Sequence, residues 1–256
     1  MIDLGIANNI ADVIEAAHEA DREFNEQVWF RGHARCDWNL KPSAHRRHQI
    51  LESQFAHHFR LCAPAMAKCP EHDDYISWLP LMQHYGLPTR LLDWTESLMV
   101  AAYFAIHESK SDVEGAIYML APGKLNGLSI GFIIPFLADE RAKPYVNDAF
   151  SGRSKPENQH AIAVLAPRTD RRMTAQLGNY TIHGNREPLE NHIDSSNFLG
   201  RITVPLSARD TIKSDLLVSG IKRSALFPDL ANLAMEISEI KALGKNGEDL
   251  EAEKGN

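Results

Sequence analysis

An α+β fold is what this sequence predicts, with helices packed against a mixed, mostly antiparallel sheet. Two observations carry the prediction. Helical periodicity dominates the first half of the chain and short strand-like runs the second, and no regular βαβα alternation links them. With 256 residues, 44% apolar and 24% charged, the chain can bury one full core. One domain over residues 1–243 is expected, with a polar tail at 244–256.

The elements follow in order. Ile10, Val13, Ile14 and Ala17 recur at helical spacing and predict a helix over 9–21. QVWFRG, 27–32, reads as a strand ended by Gly32, and a helix runs from about 44 to 68, with Pro70 beyond it. DDYISWLPLMQHYGLP predicts a helix interrupted by Pro80 and capped at Gly86. TRLLDW is extended and leads to Thr95, a predicted N-cap for the helix ESLMVAAYFAIHES. Leu98 to Ile106 is apolar throughout, so that helix should be buried on most sides. GAIYML is an interior strand, and HAIAVLAP, MTAQLGNYTIHG (173–184) and GRITVP are further strands. Helices at 208–219 and 228–243 close the fold.

Composition removes several classes. No apolar run is long enough for a membrane span, and the acidic, amphipathic N-terminus lacks signal-peptide features, so a cytoplasmic protein without a membrane partner is expected. Three cysteines without CxxC spacing suit a reducing compartment and provide no zinc pattern, and no metal is assigned. Net charge −7 argues against a broad nucleic-acid surface. P-loop, Rossmann, GxSxG and HExxH motifs are all absent.

Three stretches set polar groups in apolar surroundings. In WFRGH, strand alternation puts Trp29 and Arg31 on one face, and Gly32 allows close approach to the backbone. Arg31 suits a phosphate or carboxylate, or else an internal acid that ties strand to helix. In residues 83–95, Arg90 can pair with Asp93 while Asp93 or Thr95 caps a helix, but Gln83, His84 and Tyr85 look like a pocket rim. Gln176, Gly178, Tyr180 and Ile182 would share a strand face, with Thr174 before them, and Gln176 would face a ligand or bridge core backbone groups.

These stretches together resemble the FRG domain, a bacterial and phage family named for its Phe/Tyr-Arg-Gly motif. Phe30-Arg31-Gly32 matches the motif, followed by Trp38, Leu40, Pro42 and Arg46. Gln83 to Thr95 (QHYGLPTRLLDWT), Ala102 to Ala105, Arg172 to Gly184 and Phe227-Pro228-Asp229-Leu230 match later segments, so the resemblance runs from about residue 27 to 236. The family is associated with mobile elements and defence contexts, and its order of parts is similar to that of ADP-ribosyltransferases. That implies an ADP-ribosyltransferase-like fold with NAD as substrate, a protein or nucleic-acid acceptor, and a toxin or phage-defence role with an antitoxin partner.

On this likeness Arg31, His84 and Gln176 are the catalytic candidates. Arg31, Gly32, Tyr85, Thr89, Arg90 and Thr95 are the cofactor-binding ones. Gln176 stands where those enzymes usually carry a Glu. A rival is a non-catalytic nucleotide or nucleic-acid module using Arg46 and Arg60 beside Trp38, and a third reading is a hydrolase pairing Asp93 with His84.

Overall fold

The computed structural model describes residues 1–46, 52–107, 112–152, 159–168 and 170–239. Its strands are β1 (Ile2–Ile6), β2 (Trp29–His33), β3 (Leu91–Thr95), β4 (Gly115–Leu120), β5 (Ala161–Val164), β6 (Gly178–His183) and β7 (Leu199–Val204). They form one sheet in the order β1-β7-β4-β2-β3-β6-β5. Only the β1–β7 pairing is parallel, so the sheet is mixed and mostly antiparallel, and the α+β expectation holds.

One joint in this sheet is weak. β4 and β7 share six paired positions and β3 and β6 five, but β2 meets β3 only through Phe30 opposite Thr95. The sheet therefore opens between β2 and β3 into two wings.

Helices cover one face of both wings. α1 (Ile10–Phe24) starts where the Asn9 side chain accepts from the Asp12 N–H, and it buries Ile10, Val13, Ala17 and Phe24. α4 (Leu98–Ile106) lies on β2 and β4, and glycine decides how closely. A Cβ on Gly32 would stand 1.9 Å from the Ala101 carbonyl oxygen, and one on Gly115 2.3 Å from that of Ala105. Gly32 thus admits a helix backbone rather than a ligand, and Ala101, Ala102 and Ala105 supply the matching small surface. Replacing Gly32 by Ala should cost about 3 kcal/mol through overpacking. Urea unfolding would check this, and an unchanged midpoint would refute the contact.

The other wing packs Leu91, Ile162, Val164, Tyr180 and Ile182 beneath α2 (Glu52–Cys62), α3 (Tyr75–His84) and α6 (Lys143–Ser151). α5 (Pro122–Gly127) anchors β5, with Asn126 Nδ2 donating to the Ala163 carbonyl and Oδ1 accepting from the Ala163 N–H. α7 (Arg171–Ala175), α8 (Arg209–Val218) and α9 (Arg223–Leu226) complete the named helices.

Several expectations change. β1 was not foreseen, because a five-residue edge strand with one-sided burial has little apolar signal. Of the helix expected over 44–68, residues 43–45 form a 3-10 turn and α2 is described over Glu52–Cys62, followed by a 3-10 turn at Ala63–Ala65. Residues 47–51 lie outside the described residues. α3 runs through Pro80 without a break, since buried Trp78, Leu79 and Met82 hold both turns. The N-cap of α4 is Ser97, which accepts from the Val100 N–H, whereas Thr95 remains in β3.

The strand expected over 173–184 begins only at Gly178. Asp170 caps Met173, which winds 171–175 into a helix, and Leu177 turns the chain at φ 46°. Residues 230–239 are helical, while the expected end at 243 and the tail fall outside the described residues. Among the described residues no helix is long and apolar enough to cross a membrane.

Candidate functional site

The sheet face away from α4 is buried yet polar. Register puts Arg31 opposite Tyr118 and Tyr118 opposite Arg201, while strand alternation sets His33 beside Arg31. On the other wing Leu92 stands opposite Thr181 and Trp94 opposite Asn179, so Thr181 and His183 share this face. Segments 34–46 and 184–198 close over it: Leu189 N–H donates to the Leu40 carbonyl, and Glu190 accepts from the Leu40 N–H.

Arg31 sits where the two wings part. Its Nε donates to His33 Nε2 at 2.9 Å and its Nη1 to the Asp93 carbonyl at 2.6 Å, with the Asp93 carboxylate 3.9 Å away. The guanidinium thereby replaces the missing ladder bonds between β2 and β3. No acceptor among the described residues takes Nη2. Burial lowers the Arg31 pKa, Asp93 opposes that shift, and the neighbouring Arg46 cation adds to it. Two guanidiniums close enough to feel each other are costly unless an anion lies between or beside them. Arg46 is itself placed by Nε donating to the Lys41 carbonyl at 3.0 Å.

Asp93 connects this point to α3. Its carboxylate is exposed and accepts from Gln83 Nε2 at 3.0 Å, while Gln83 Oε1 accepts from the Thr89 hydroxyl. Next along α3, His84 Nδ1 stands 3.7 Å from Asp170. Tyr85 is exposed and meets His84 edge to face. Asp170 lines a cleft of about 520 Å³ with Arg168, Arg171, Thr174, Ala175 and Pro228.

Three histidines on the polar face are held neutral. His33 has its pKa pulled down to about 2, first by burial and then by the Arg31 cation. His45 falls to about 3, by burial and then Arg90, and burial takes His183 well below the usual value. The Thr181 hydroxyl accepts from Trp94 Nε1 at 3.1 Å and stands 2.9 Å from His183 Nε2. Arg90 Nη1 and His183 Nδ1 are buried and reach no partner among the described residues, a cost of about 1–3 kcal/mol each.

The candidate residues therefore separate into groups. Arg31, Thr89 and, through Gln83, the neighbouring His84 line one connected path. Arg90 does not pair with Asp93 but is buried against Glu52, with Nε to Oε2 at 2.8 Å and the backbone N–H to Oε1 at 2.6 Å. Thr95 donates to the Gln176 carbonyl at 2.6 Å and accepts from the Ser97 N–H. Gln176 caps α7 instead of lying on a strand face, and its amide donates to the Leu226 carbonyl at 3.1 Å. His84 and Asp93 are each paired elsewhere, which leaves the hydrolase pairing without a hydrogen bond.

His33, Glu52, Thr181 and His183 were not among the candidates, and Arg46 was one only for the rival nucleic-acid reading. Extending the β2 alternation by two residues would have added His33, and the others depend on long-range pairing. Among the described residues no cluster of three His, Cys, Asp or Glu side chains could hold a metal ion.

No curated protein and no solved structure matches the chain. Residues 26–114 match the family model described as the FRG domain, a span that includes β2 with Arg31, all of Gln83 to Thr95, and α4. The chain therefore carries an FRG domain over that segment.

Proposed function

We propose that this FRG-domain protein is an ADP-ribosyltransferase-like enzyme that consumes NAD, with the pyrophosphate held at the opening between β2 and β3. The observation that carries this reading is Arg31, fixed by two bonds at the split, beside the second cation Arg46. A planar donor set whose Nη2 has no acceptor among the described residues suits a phosphate oxygen. His84 and Tyr85 would line the nicotinamide-ribose side, next to the cleft at α7. Thr89 serves by orienting Gln83. Gly32, Arg90 and Thr95 act by shaping the strands rather than by touching substrate.

Cleavage of the nicotinamide–ribose bond builds positive charge on the sugar, and a fixed anion beside it lowers the barrier. Asp93 fills that role better than Gln176, because its carboxylate is exposed and held by Gln83 while the Gln176 amide is already bonded to Leu226. The acceptor is a protein or nucleic acid, or water if NAD itself is hydrolysed. Uncontrolled NAD loss harms a cell, which fits a toxin or phage-defence effector kept in check by an antitoxin.

Nicotinamide release from labelled NAD, with and without lysate, tests the reading. Asp93→Asn should lower turnover by about a hundredfold. Arg46→Ala should raise KM for NAD about tenfold with kcat little changed. Binding of NAD as a thermal shift without turnover would favour a non-catalytic nucleotide module, which would also suit an Arg31 tied mainly to the protein. Neither turnover nor shift at millimolar NAD would remove NAD as the ligand.

A further inference from the structure

An arginine that must grip an anion needs its planar fork aimed, and the usual aiming partner is a carboxylate. A carboxylate also neutralises the charge that the anion needs. At Arg31 the Nε partner is instead an imidazole: Nε donates to His33 Nε2 at 2.9 Å. The tautomer is set from the other side, since His33 Nδ1 lies 3.2 Å from the Trp38 carbonyl and must carry the proton to bond it. Nε2 then presents a lone pair to Arg31. Tyr118 and Trp38 pack edge-on against the ring, with centroids 5.1 and 6.0 Å away, and restrain its plane. His33 is 2% exposed, so solvent does not compete for this bond.

We propose that His33 is a positioning residue that orients the Arg31 guanidinium across the β2–β3 opening without neutralising it. Its low pKa, about 2, keeps it an acceptor at every working pH. The positioning part stands on geometry alone. The consequence for an anionic ligand rests on the NAD reading above.

The test compares wild type with His33→Gln and His33→Glu, using ADP-ribose and inorganic pyrophosphate as probes in calorimetry. Gln offers a neutral acceptor and should keep the affinity within about threefold, whereas Glu holds Arg31 but cancels its charge and should weaken both probes about tenfold or more. Equal affinities in all three folded proteins would overturn the proposal. If wild type binds neither probe, the anion reading fails on its own, and exchange of the Arg31 Nε–H, followed by NMR, decides the positioning role. Exchange that is slow in wild type and at least about tenfold faster in His33→Leu supports it, and unchanged exchange overturns it. A His33→Leu chain that does not fold transfers that comparison to His33→Gln, where retained protection supports the same conclusion and lost protection contradicts it.

Discussion

Acidification from pH 7 to pH 5 is expected to destabilise the protein by about 4 kcal/mol through His33 and His45, which approaches the whole stability of a typical domain. His183 adds to the loss in the same direction. The cause is the trio His33, His45 and His183, all buried and all held neutral. In the unfolded chain each titrates near pH 6.5, as an ordinary histidine does. In the folded protein His33 and His45 titrate near 2 and 3, and His183 lies well below its usual value.

The folded pKa is depressed, so the stabilising contribution is complete above the unfolded value and is lost as pH falls below it. Each of His33 and His45 gives a slope of about 1.4 kcal/mol per pH unit, or about 3 for the two together, and His183 steepens it further. Urea midpoints at pH 7.5, 6.5, 5.5 and 5.0 measure it, in a range where most carboxylates stay ionised. A flat profile would mean that the three rings are not buried as bases.

Glu52→Ala should cost about 3–5 kcal/mol, the next largest effect. The Glu52 carboxylate is buried and receives both the Arg90 Nε and the Arg90 backbone N–H, at 2.8 and 2.6 Å. Removing it strands the guanidinium, whose Nη1 already has no partner among the described residues. It also frees the start of β3, because the Arg90 carbonyl accepts the His183 N–H that continues the ladder to β6. Glu52→Gln keeps an acceptor and should lose less. Guanidinium chloride unfolding of both variants separates the charge from the hydrogen bonds. If Glu52→Ala unfolded at the wild-type midpoint, the ion pair would be of no consequence to the fold.

Much of the architecture could be read along the chain, since its signals are local. The alternation in WFRGH identifies β2 and the shared side of Trp29 and Arg31, and the unbroken apolar run Leu98–Ile106 marks α4 as a buried helix. Local signals failed where a competing bond decided. Thr95 is a good capping residue, yet Ser97 caps α4 because Thr95 is held in register opposite Phe30 and Gly178. MTAQLGNY alternates like a strand, yet the Asp170 cap winds its first residues into a helix and carries Gln176 away from the strand face.

The sequence by itself determined the α+β class, the position of Arg31 on an apolar strand, the FRG resemblance and the lack of common nucleotide motifs. Each depends on residue identity or on spacing within a few positions. The partners were decided only by tertiary structure: His33 and Asp93 for Arg31, Glu52 for Arg90, Ala101 for Gly32, and Thr181 for His183. The physical reason is that a buried polar or backbone group must find its complement, and which group satisfies it depends on strand order and register, set by packing of the whole core. The weak β2–β3 joint has the same origin, and it is what turns an ordinary Phe-Arg-Gly run into the mouth of a candidate site.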